Sequence, residues 1–154
     1  MTSLLRVLFI LVILFFAGGC APFMVPLDEV DSSHAVDGSL SNDQVRDAII
    51  DGAANAGWRT KDLGNDKILA SFQFKTHVIT VEIDYTASSY ATHYESSYWM
   101  KMFCTEQDKK KHQNMIVSGQ ADCPGDRPPA YIHKSYKQWV DSLDRSIQSS
   151  LWAM

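Results

Sequence analysis

Two segments of the chain carry apolar residues at the three- and four-residue spacing of an amphipathic helix. The first begins at Ser41, which can cap a helix while the Gln44 side chain reaches back to the Ser41 amide, and Gly57 supplies a stop. Its apolar face consists of Val45, Ala48, Ile49, Ala53 and Ala56. The second helix is predicted from Ala130 to about Leu151. Its apolar stripe consists of Ile132, Tyr136, Trp139, Val140, Leu143, Ile147 and Leu151.

Between these helices, apolar and polar residues alternate with a period of two, which is typical of strands covered on one face. Strands are predicted at residues 58–63, 67–75 and 78–85, and a less regular one at residues 90–102. The pattern therefore predicts an α+β fold. It consists of a three- to four-stranded antiparallel sheet with two helices packed on one face, in the order α-β-β-β-(β)-α.

The N-terminal segment has a different pattern, an unbroken apolar run from Val7 to Ala17 preceded by Arg6. This run is about half as long as the ~20 residues that a helix needs to span a bilayer. A positive residue, a short apolar core and small residues after it are typical of a secretory signal. We therefore expect residues 1–19 to be a signal peptide.

The signal ends in Ala17-Gly18-Gly19-Cys20, which resembles the lipobox of bacterial lipoproteins. The resemblance implies that Cys20 is acylated and becomes the new N-terminus. The alternative is a plain secretory signal, with Cys20 as an ordinary thiol. By the same resemblance, Ala21 in place of Asp favours sorting to the outer membrane, with the domain facing the periplasm.

Residues 20–40 contain prolines, a glycine and four acidic residues without apolar periodicity, and they are predicted to form the lipidated N-terminus and a flexible tether. Residues 41–154 then form a single domain. The chain has 154 residues, of which 45% are hydrophobic and 21% charged, and this composition excludes a disordered or polytopic membrane protein. A formal net charge of −4 gives no reason to expect a nucleic-acid partner.

The three cysteines leave an even pair once Cys20 is acylated. Cys104 and Cys123 bracket an insertion at residues 104–128, and an exported protein favours a disulfide between them. Free or intermolecular thiols are one alternative. A metal bound by Cys104, His112 and Cys123 is the other, although the spacing is loose.

The serines, histidines and acidic residues do not form a known catalytic motif. No nucleophile elbow, zinc-binding helix motif or phosphate-binding glycine loop is present. We therefore expect neither an enzyme nor a bound cofactor or metal. A small hydrolase acting on an envelope substrate remains an alternative.

The strand at residues 90–102 offers a candidate docking surface, because Tyr90, Thr92, Tyr94, Ser96 and Tyr98 share one face by the period-two rule. Rigid amphipathic rings are favoured at interfaces. The hypothesis is that Tyr90, Tyr94 and Tyr98 form the open face and bind a protein partner. The alternative is that these rings help to build the core.

Several of these residues resemble those of a family of small, uncharacterised proteobacterial lipoproteins. The shared positions are Val81, Ile83, Tyr85, Tyr94, Ser97, Met100, Ile132, His133, Tyr136, Trp139, Val140 and Leu143. The resemblance spans about Val45 to Leu151 and implies the fold and location, but no activity. The sequence thus predicts a lipid-anchored periplasmic protein with a non-catalytic binding or interaction domain. The alternative is an accessory structural subunit of an envelope complex, bound to an envelope protein partner.

Overall fold

The computed structural model describes residues 23–111, 115–117, 123 and 127–154. In chain order the elements are β1 (Met24–Pro26), a short 3-10 helix (Leu27–Glu29), β2 (Ser32–Ala35), α1 (Asn42–Asn55), β3 (Arg59–Gly64), β4 (Lys67–Phe74), β5 (His77–Tyr85), β6 (Ser89–Tyr98), β7 (Lys101–Phe103), α2 (Glu106–Lys111), β8 (Ile116–Val117), β9 (Tyr131–His133) and α3 (Lys134–Trp152). The predicted signal peptide, Cys20 and Ala21 lie outside the described residues.

The main sheet is antiparallel, with five strands in the order β2-β6-β5-β4-β3. Burial alternates along β5, so that Ile79, Val81 and Ile83 point into the core between more exposed neighbours. Val45 and Ile49 of α1, with Leu143 and Ile147 of α3, belong to the same core cluster. The α+β class and the helix–sheet–helix order are therefore confirmed.

Helices α1 and α3 also pack closely on one another. Gly52 faces α3 so directly that an added Cβ would lie 2.5 Å from Ile147 Cα. The predicted capping box starts α1, with Ser41 Oγ accepting from the Gln44 amide and Gln44 Oε1 accepting from the Ser41 amide. Gly57 follows the helix at φ +80°, the left-handed conformation that ends it.

The prediction of a single sheet was wrong, because four short strands form a second antiparallel sheet in the order β1-β9-β7-β8. The strand expected at residues 90–102 divides into β6 and β7 at Trp99, whose φ is 59°. The helix expected from Ala130 starts instead at Lys134, because Tyr131–His133 pairs with β1 and β7. The strands of this second sheet have only two or three residues each, which is too short for an alternating pattern to predict them from sequence.

The prediction of a flexible tether was also wrong for residues 23–40, which the structure describes. Residues 24–26 pair with β9 and residues 32–35 pair with β6, so this segment adds an edge strand to each sheet. Its apolar residues reach the core: Met24, Val25, Leu27, Val30 and Val36 are buried. Residues 23–40 are therefore part of the domain, which does not begin at residue 41.

Candidate functional site

A pocket lined by aromatic rings lies at one end of the main sheet, where the β4–β5 hairpin, the β6–β7 connection and the start of α3 meet. We call it the aromatic pocket; its volume is about 240 Å³. Its lining residues are Phe74, His77, Trp99, Met100, Lys101, His133, Ser135 and Trp139. None of these eight is acidic, so the lining combines apolar rings with one lysine and two imidazoles.

One imidazole is fixed by the tight connection between β6 and β7. The left-handed conformation of Trp99 turns the chain there, and its carbonyl lies 2.7 Å from Nδ1 of His77. A carbonyl only accepts, so His77 must donate from Nδ1. In neutral His77, Nε2 is then the acceptor.

The other imidazole caps the N-terminus of α3. Nδ1 of His133 accepts from the Ser135 amide at 3.2 Å, so neutral His133 carries its proton on Nε2. Partial burial, followed by the positive charges of Lys101 and Lys134, lowers the pKa of His133. The two histidines therefore present opposite nitrogens as donors.

Aromatic rings continue the pocket wall on both sides. The Trp139 ring lies 5.8 Å from Phe74 and 6.3 Å from His77, measured between ring centroids. On the other side Phe23 packs edge-on against His133 at 4.3 Å, and Nζ of Lys101 lies 5.3 Å from the Phe23 ring. The arrangement suits a ligand with an apolar body and a negatively charged or hydrogen-bond-accepting group.

A second polar cluster surrounds Asp144, a buried carboxylate on α3. It accepts hydrogen bonds from Ser32 Oγ at 2.6 Å and from Thr92 Oγ1 at 3.1 Å. Nε2 of His34 lies 3.4 Å from the same carboxylate. Ser32 and His34 thus both contact the Asp144 carboxylate. A nucleophilic triad would need a hydrogen bond between Ser32 and His34, and none is present. The cluster fastens α3 to β2 and β6.

The predicted tyrosine surface was wrong. Tyr90 is fully buried and Tyr94 is half-buried, with its ring 5.5 Å from that of Tyr136. Thr80 pairs with Ser96 and Val81 with Tyr94, so Glu95 is an extra residue in a β-bulge. The bulge reverses the alternation, and Tyr98 is exposed on the face opposite to Tyr90.

The predicted disulfide between Cys104 and Cys123 is present, with a Cα–Cα distance of 5.5 Å. His112, the third residue of the metal alternative, lies outside the described residues. Among the residues that the structure does describe, no group of three or more His, Cys, Asp or Glu side chains could hold a metal ion. No helix within the described ranges is both long and apolar enough to cross a membrane.

Comparison with protein-family models, curated proteins and solved structures found no match for this chain. The aromatic pocket was missed from sequence, because its lining residues come from distant parts of the chain. Asp144 was missed as well. It lies between Leu143 and Ile147 on the apolar stripe of α3, and a carboxylate within such a stripe is the signal of a buried polar contact.

Proposed function

We propose that the protein is a lipid-anchored periplasmic lipoprotein whose folded domain is a non-catalytic binding module. The aromatic pocket is its binding site. The observation that carries this proposal is the composition of the pocket. Exposed or half-buried rings surround Lys101 and two imidazoles, and none of the lining residues that the structure describes is a carboxylate. Such a lining holds a ligand by ring contacts and charge.

The anchor is proposed from the residues at the end of the signal. The small residues before Cys20 support acylation, and the outer membrane is the proposed destination. The disulfide at Cys104 supports export, because disulfides persist in oxidising compartments. Acylation of Cys20 uses the one remaining thiol of the chain.

Binding is favoured over hydrolysis by the way the polar groups are used. In the pocket, His77 is tied to a backbone carbonyl and His133 to a backbone amide. In the Asp144 cluster, the serine and histidine contact the same carboxylate and not each other. A general base needs a free nitrogen within reach of the group it deprotonates, and neither cluster pairs one with a nucleophile.

A photo-crosslinking amino acid placed at Phe74 tests the binding site in the full-length protein in living bacteria. Phe74 is 47% exposed at the pocket rim. The matched control is Leu63, which is 40% exposed near the β3–β4 hairpin, about 20 Å away along β4. We expect an adduct with an envelope component from position 74 and none from position 63.

The product also separates the alternatives. A stoichiometric adduct with one protein that co-purifies without light would identify an accessory subunit of an envelope complex. Equal adducts from positions 74 and 63, or none from either, would contradict the aromatic pocket as a binding site.

A further inference from the structure

Exposed rings gather around the mouth of the aromatic pocket. Phe23, Phe74, Tyr98 and Trp99 are each 43–49% exposed. Tyr98 and Trp99 are in edge-to-face contact at 5.7 Å. Two lysines accompany the rings, with Lys75 Nζ 5.4 Å from the Phe74 ring and Lys101 Nζ 5.3 Å from the Phe23 ring. We call these four rings and two lysines the aromatic face.

The chain itself joins this face to the proposed anchor. Phe23 belongs to the face, and β1 begins at the next residue, where Met24 pairs with His133. Cys20 is three residues before Phe23, and three residues reach at most about 11 Å. A lipid on Cys20 therefore enters the bilayer beside the aromatic face, and no long tether can hold the domain away.

Charge is distributed unevenly between the two ends of the main sheet. At the end opposite to the aromatic face, Asp62 and Asp66 flank the β3–β4 hairpin, and Glu82 and Asp84 are both paired with the single ammonium of Lys67. Burial, and then the carboxylates of Asp62 and Asp66, raise the pKa of Tyr85, the last residue of β5. At the aromatic face the eight described residues of the pocket lining include a lysine and no carboxylate. The end that carries the aromatic face is thus the less acidic of the two.

We propose that the aromatic face binds the phospholipid surface into which the Cys20 lipid inserts. The inference rests on the proposed lipidation of Cys20. Tyr98 and Trp99 have an apolar body and a polar edge, which is favoured at the membrane–water interface, and Phe23 and Phe74 add apolar surface. Lysines there reach the phosphate groups. A phosphate group beside Lys101, with an apolar chain against the rings, matches the chemistry of the aromatic pocket.

Trp99 and Trp152 make a matched pair for testing this orientation. Trp152 is 90% exposed at the far end of α3, about 28 Å from its first turn. The full-length lipoprotein is reconstituted into vesicles of phosphatidylethanolamine and phosphatidylglycerol, with and without lipids brominated on the acyl chains. Tryptophan quenching by bromine is measured for the wild type, Trp99→Phe and Trp152→Phe, after flotation of the vesicles.

We expect all three proteins to float and the wild type to be quenched. Trp99→Phe should lose a large part of this quenching, with Trp139 of the pocket lining giving the rest, whereas Trp152→Phe should keep it all. If the proteins float but Trp99→Phe is quenched as strongly as the wild type, the membrane-facing orientation is wrong and the anchor stands. If the proteins do not float, the proposed anchor fails and the orientation fails with it. A floating protein without lipid quenching, but with a protein adduct from position 74, would assign the face to a protein partner.

Discussion

A single proton decides whether His133 can cap α3. Its Nδ1 accepts from the Ser135 amide, and a protonated Nδ1 could no longer accept. Burial and nearby Lys101 lower the pKa of His133, which keeps the capping form present at neutral pH. Because the folded pKa is below the unfolded value of about 6.5, this contribution to stability is present above pH ~6.5 and is lost as the pH falls through the folded pKa.

The variant His133→Asn should reduce this pH dependence. Asn keeps an oxygen that can accept from the Ser135 amide, but it does not titrate. We expect the melting temperature of the full-length protein to fall less between pH 7.5 and pH 5 in the variant than in the wild type. The other four histidines are present in both proteins, so the difference isolates His133. An equal fall in the two proteins would contradict the assigned cap.

Two buried tyrosines differ in whether the hydroxyl has a hydrogen-bond partner. Tyr90 donates to the backbone carbonyl of Asp144 at 3.4 Å, and burial and the Asp144 charge raise the pKa of Tyr90. The hydroxyl of Tyr136 has no hydrogen-bond partner among the described residues. A buried hydroxyl without a partner costs stability, whereas one with a partner contributes to it.

We therefore expect opposite effects from removing the two hydroxyls. Tyr136→Phe should leave the free energy of unfolding unchanged or raise it by about 1 kcal/mol, and Tyr90→Phe should lower it by about 1 kcal/mol. Urea denaturation of the full-length protein measures both. A loss from Tyr136→Phe as large as that from Tyr90→Phe would show that the Tyr136 hydroxyl has a partner.

At the scale of elements, the long periodic segments could be predicted and the short ones could not. α1, β4 and β5 were found within two residues of their observed bounds, because each buries one face along eight or more residues. β1, β2 and β9 have three or four residues each and exist through their pairing. The bulge at Glu95 depends on the partner strand, and it moved Tyr98 to the opposite face.

The close approach of α1 and α3 gives a prediction at this scale. Gly52→Ala would place Cβ 2.5 Å from Ile147 Cα and 2.9 Å from the Ser146 carbonyl, and backbone atoms cannot rotate away. The helix propensity of Ala, worth about 1 kcal/mol, should be outweighed, with a net loss of about 2 kcal/mol or more.

Gly38→Ala serves as the control, because no atom lies within 4 Å of the added Cβ. Denaturation of both full-length variants measures the difference in the free energy of unfolding. Stability of Gly52→Ala at or above that of the wild type would mean that the two helices pack less closely than described.

For the whole molecule, the class of fold follows from the sequence, but the candidate site does not. The aromatic pocket joins His77 in a hairpin, Trp99 in a strand connection, and His133 at a helix start. No sequence spacing relates these residues, because the pairing of the second sheet brings them together. The same pairing places Phe23 at the pocket, so a segment expected to be a tether is part of the aromatic face beside the proposed anchor.

Acylation of Cys20 is the claim on which both the proposed function and the membrane orientation depend. Cells expressing the full-length protein are given labelled fatty acid, and the purified protein is assayed for the label. We predict incorporation in the wild type and in a control carrying Cys104→Ser and Cys123→Ser, but none in Cys20→Ser. Equal labelling of the wild type and Cys20→Ser, or no label in the wild type, would contradict a lipid-anchored protein.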